Sequence, residues 1–124
     1  MKEVKIGEHT YQLEAYNHGA EIYINDESYE VTPGSEKMRV RIGTMNDLTV
    51  YFSLVDWDVK DENGAGVIIA PKFDFEGRVI AQNLQNYRKY LPPGIIDELF
   101  VEAAKLVRLS KAEKKTLKNP PASG

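Results

Sequence analysis

Leu48-Thr49-Val50-Tyr51-Phe52-Ser53-Leu54 (residues 48–54) is the stretch on which the fold turns. Its apolar positions Leu48, Val50, Phe52 and Leu54 fall on every second residue, the period of a half-buried strand. The run before it has the same period, with Met38, Val40 and Ile42 alternating with Lys37, Arg39 and Arg41. Joined by the loop 43–47, the two runs predict a hairpin.

Working outward toward the N-terminus, the alternation continues. Val4 and Ile6, then Tyr11, Leu13 and Ala15, then Ile22 and Ile24, then Tyr29 and Val31 form short apolar sets. They are separated by Gly7-Glu8, Asn17-His18-Gly19, Asn25-Asp26-Glu27 and Thr32-Pro33-Gly34-Ser35, all rich in residues that favour turns. Centring each turn pairs Val4 with Tyr11, Leu13 with Ile22, Ile24 with Tyr29, and Val40 with Val50. Across the looser fourth connection, Tyr29 is set against Val40. All these pairs are apolar, and a one-residue slip would turn any strand inside out. The reading is therefore a six-stranded antiparallel meander. A seventh strand is expected at Val67-Ile68-Ile69, with Phe73 and Phe75 continuing it past Pro71 as an edge.

Beyond this the period becomes helical. Ile80, Leu84, Tyr87 and Leu91 make one stripe, closed by Pro92-Pro93-Gly94. Ile96, Leu99, Phe100, Ala103, Leu106 and Val107 make a second, wider one. Asp97 and Glu98 sit at its start, Lys105 and Arg108 at its end, as the helix dipole favours. Ser110 and Glu113 fit a capping box for a third, short basic helix. The fold expected is α+β: a meander of six to seven strands covered on one face by C-terminal helices. Residues 1–118 would be one domain, sheet about 3–75 and helices about 79–118, with 119–124 a disordered tail.

Composition limits the chemistry. The chain has 124 residues, 28% charged and 42% hydrophobic, which is ordinary for a globular domain. With no cysteine, disulfides and thiolate metal sites are excluded. No run is long enough to span a membrane, and the N-terminus lacks a signal-like apolar segment, so a cytoplasmic setting is expected. Residues 1–104 carry 10 basic and 18 acidic side chains, while 105–124 carry six basic and one acidic. The body should repel nucleic acid and the tail attract it.

Individual motifs favour binding over catalysis. His9 and His18 have no partners at metal spacing. Asp56-Trp57-Asp58 followed by Asp61-Glu62-Asn63-Gly64 imitates a calcium loop, but Lys60 stands at a ligand position and the distal Glu is missing. No metal site and no cofactor is expected. Glu14, Glu21 and Glu30 would form an acidic patch on the outer sheet face, too open for paired-carboxylate catalysis. The same face would present Tyr23, Arg39, Arg41 and Tyr51, with Trp57 about 20 Å beyond Tyr51 along an extended strand. Glu30 opposite Arg39 reads as a cross-strand ion pair.

Aromatics and Arg are the residue types enriched at binding hot spots. The function expected is a non-catalytic module that binds another protein, as an inhibitor, immunity factor or adaptor. A homo-oligomer is the other arrangement that would cover the face. The alternative is a nucleotide or nucleic-acid binder using Arg39, Arg41, Tyr51 and the basic tail. A small enzyme comes third, without a motif.

Overall fold

The computed structural model describes residues 1–31, 33–34 and 37–118, the side chains of 114–118 excepted. It is α+β, with strands and helices interleaved along the chain. In order come β1 (Lys2–Ile6), β2 (His9–Leu13), α1 (His18–Ser28), β3 (Tyr29–Val31), β4 (Met38–Val40), α2 (Ile42–Ser53), β5 (Leu54–Trp57), α3 (Ala81–Tyr90) and α4 (Ile96–Lys118). The six-to-seven-stranded meander does not form. The strands make a three-stranded antiparallel sheet, ordered β1-β2-β5, and a separate two-stranded ribbon, β3-β4. The tail 119–124 lies outside the described residues.

Two hairpins keep the register that alternation implies. Val4 pairs with Tyr11 across Gly7, which supplies the positive φ of 61° the turn needs. Tyr29 pairs with Val40 and Glu30 with Arg39. The pairings Leu13–Ile22, Ile24–Tyr29 and Val40–Val50 are overturned, because 18–28 and 42–53 are helices.

Asn17 starts α1 as its N-cap: with ψ at 176°, its side chain accepts the Ala20 amide at 2.9 Å. Ala20, Ile24 and Ser28 then form the buried stripe, at helical spacing. In α2 the last six residues, Leu48 to Ser53, are all buried. A helix covered on every side loses its polar face and with it the 3.6-residue period. Its β-branched and aromatic residues have strand propensity, which tertiary packing overrides. Helix α2 packs against α1 on one flank and α4 on another, then runs directly into β5. β5 adds to β2, pairing Trp57 with Tyr11 and Leu54 with Leu13 across a bulge.

Residues 58–80 are irregular. The expected strand at 67–69 does not form; the segment is instead pinned by side chains. Trp57 Nε1 donates to the Val67 carbonyl at 2.9 Å, Asn86 Nδ2 to that of Ile68 at 3.0 Å, Tyr51 OH to that of Ile69 at 3.4 Å and Asn83 Nδ2 to that of Pro71 at 2.8 Å. Two loops of like construction flank the segment. Asp61 Oδ1 accepts the amides of Asn63 and Ala65, and Asp74 Oδ1 those of Glu76 and Arg78. Gly64 and Gly77, each with φ near 80°, close them. The acidic stretch Asp61-Glu62-Asn63-Gly64 lies in the first of these. Helix α4 is continuous through Ser110, so the separate third helix is also corrected.

The core is built on aromatic rings. Tyr51 meets Phe52 at 5.1 Å and Tyr87 at 5.0 Å, Phe52 stacks on Phe73 at 5.4 Å, and Trp57 stacks on Tyr87 at 6.2 Å. Leu13, Leu48, Leu54 and Leu99 fill the space around them.

Candidate functional site

The open sheet face that was to present Tyr23, Arg39, Arg41, Tyr51 and Trp57 together is not built. Tyr51, 0% exposed, lies on α2, and Trp57, 9% exposed, ends β5. Both touch Tyr87, so they share one aromatic cluster; the 20 Å separation assumed an extended chain that is in fact helical up to Ser53. Burial pushes the Tyr51 hydroxyl up to about 12. Tyr23 is half-buried on α1, edge-on to Phe52. The acidic residues are also dispersed. Glu14 is exposed beyond β2, Glu21 meets Lys111 at 3.2 Å, and Glu30 meets Arg41 at 3.3 Å.

Arg39 and Arg41 do belong to a distinctive surface, the β3-β4 ribbon. Every residue of both strands is exposed. The register puts Tyr29, Val31, Met38 and Val40 on one face and Glu30 and Arg39 on the other. The apolar side chains are open to solvent: Tyr29 40%, Val31 65%, Met38 62%, Val40 37%, and Ile42, just beyond, 64%. A two-stranded ribbon is marginal in water by itself. This one is clipped at its base, where the Arg41 amide donates to the Ser28 carbonyl at 2.7 Å. Tyr29, Val31 and Met38 were legible as strand residues; the missing signal was burial, since alternation marks an apolar face without saying whether anything covers it.

A second constellation gave no sequence signal. Lys72, in the irregular segment, is buried at Nζ and has no hydrogen-bond partner among the described residues. Its Nζ lies 3.9 Å from the Tyr51 ring centroid. The ring favours the charged amine, but desolvation outweighs it and holds the pKa down to about 7. Lys72 lines a cavity of about 370 Å³ with Phe52, Val55, Pro71 and Phe73. On the far side of Phe73 an apolar cleft of about 480 Å³ runs between α1, the Asp74 loop and α3.

His9, which opens β2, and Asp58, just past β5, lie 3.0 Å apart, and Asp58 also accepts the Thr10 amide at 3.1 Å. That amide bond is the main cause holding the Asp58 carboxyl below its ordinary range. Among the described residues, no group of three or more His, Cys, Asp or Glu could hold a metal ion. None of their helices is long and apolar enough to cross a membrane. Comparison with protein families, with curated proteins and with solved structures finds no match to this chain.

Proposed function

We propose that this chain is a non-catalytic protein-binding module of the inhibitor, immunity-factor or adaptor kind, working in the cytoplasm, and that its contact surface is the β3-β4 ribbon. The observation that carries the reading is the solvent-exposed apolar face of Tyr29, Val31, Met38 and Val40 on a ribbon too small to support itself. The partner is read from the pattern of β4. Met38, Val40 and Ile42 alternate with Arg39 and Arg41. A strand added alongside would place apolar side chains on one face and acidic ones on the other. The partner is therefore a protein offering an extended segment of alternating apolar and acidic residues. The nucleic-acid alternative loses its stacking ring, because Tyr51 is buried and Lys72 Nζ covers its face.

The test is capture of the partner by wild type, Val31→Glu and Met38→Glu, with thermal unfolding of all three. A hot-spot loss of about 2 kcal/mol or more per substitution should weaken capture roughly 30-fold while unfolding barely moves. Undiminished capture by both variants would transfer the function to another surface. Light scattering on the same samples tells a heterologous partner from self-association.

A further inference from the structure

The loops built on Asp61 and Asp74 are one structure used twice. In each, the Asp amide donates to the carbonyl four residues on, at 2.8 Å, and the Gly amide donates back to the Asp carbonyl, at 3.0 Å. The turn needs the Asp side chain and the positive φ of Gly; it makes no use of the side chain in second place. In the first loop that residue is Glu62, whose carboxylate accepts the Tyr90 hydroxyl of its own chain. In the second it is Phe75, 97% exposed, so the ring serves neither loop nor core. A lone exposed apolar residue is ordinary. This one is held out on a rigid turn, so little freedom is lost when something covers it.

The same loop also forms a wall of the 480 Å³ cleft. Phe73 and Val79 line it from the loop, Ile22 and Tyr23 from α1, and Leu84 from α3. Ile22 is 49% exposed, so the apolar lining is open to solvent. A knob beside a hole is complementary to the same pair on a second copy, turned about a two-fold axis running between them. Charge points the same way. Arg78, 71% exposed, travels with Phe75; it bonds Asp74 at 3.3 Å and Glu76 at 2.7 Å and has N–H groups left over. Asp26, on the α1 wall, has no ion pair or hydrogen bond among the described residues. We propose that two copies of this chain associate through this face, the Phe75 ring of each entering the cleft of the other, with Arg78 of the entering loop against Asp26 of the receiving wall. The face is separate from the β3-β4 ribbon, none of whose strand residues lines the cleft.

The test is sedimentation equilibrium of the full chain, from low micromolar concentration to about 1 mM. Wild type should show a reversible monomer–dimer equilibrium. Phe75→Ser removes both inserted rings and should weaken the dimer at least about 100-fold. Because Phe75 is exposed, the melting temperature of this variant should match that of wild type. Ile22→Arg sets a long charged side chain in the cleft and should also leave a monomer. The two variants are then mixed, one carrying an N-terminal fluorophore. They should associate at concentrations where neither does alone, because the ring of Ile22→Arg meets an intact cleft on Phe75→Ser. A wild type still monomeric at about 1 mM overturns the proposal and leaves ring and cleft to a different partner. So does undiminished association of Phe75→Ser, a mixture that gains nothing, or a dimer dissolved by Val31→Glu on the ribbon and untouched by Phe75→Ser. Should Ile22→Arg fail to fold, Phe75→Ser decides alone.

Discussion

Lys72 gives the molecule a pH dependence of definite sign. Its pKa falls from 10.5 in the unfolded chain to about 7 in the fold. Between those values the unfolded chain binds more protons, so stability rises with pH over that window. Tyr11 and Tyr51 act at the upper end, since burial raises both to about 12; their contribution is whole below 10 and is lost as pH climbs through 12. Thermal unfolding of wild type should therefore show stability rising from pH 7 toward 10. Lys72→Met should be flat across that window. It should also be more stable than wild type at neutral pH by a few kcal/mol, since each tenfold change in proton affinity is worth roughly 1.4 kcal/mol. Equal slopes in the two proteins would mean that Nζ reaches water. Phe52 tests the other half of the residue picture. It touches Tyr23, Tyr51 and Phe73, and Phe52→Ala should cost ~3–5 kcal/mol in denaturant titration. Core membership was legible here although the element was not. Leu13, Ile24, Val50, Phe52, Leu84, Leu99 and Ala103 are buried as their apolarity implies, because an apolar side chain seeks the interior from a helix as from a strand. Ile22 and Val40, which the alternation puts on the same apolar face, are exposed, and Phe100 is half-buried.

At the scale of elements, legibility follows one-sidedness. α3 and the first turns of α4 have a buried stripe and a polar back, and both read correctly from the period. β1-β2 also read correctly, because Gly7 fixes the turn and the turn fixes the register. α2 could not be read this way. Its apolar Leu48, Val50 and Phe52 and the residues between them, Thr49, Tyr51 and Ser53, are equally buried, so the alternation of polarity no longer reports on geometry. α1 carried a signal that the turn reading absorbed: Asn17 as a cap, then Ala20 and Ile24 four residues apart. That cap is testable by itself. Asn17→Ala removes the acceptor of the Ala20 amide and should cost about 1 kcal/mol in urea unfolding, whereas Asn17→Asp should cost little. If Asn17 merely occupied a hairpin turn, the acid would give no such rescue.

At the scale of the whole molecule, fold and proposed site separate. The meander would have merged them, with one sheet whose back is the core and whose front is the interface. In the structure the aromatics foreseen at the front, Tyr51 and Trp57, hold the core together, while Arg39 and Arg41 stand on a ribbon. That ribbon leaves the body after Ser28 and returns at Arg41, and the 2.7 Å bond between those two residues closes the gap behind it. All six of its strand residues are exposed, so its removal uncovers little apolar surface. Tyr29 and Val40 face each other at its base, and a two-residue Asn-Gly link between them replaces residues 30–39 with a turn suited to a hairpin. The shortened chain should unfold within about 5 °C of wild type, the equivalent of roughly 1 kcal/mol for a domain of this size. It should lose protein capture altogether. A melting temperature that collapses would place the ribbon in the core. Capture that survives the deletion would show that the partner binds elsewhere on the body.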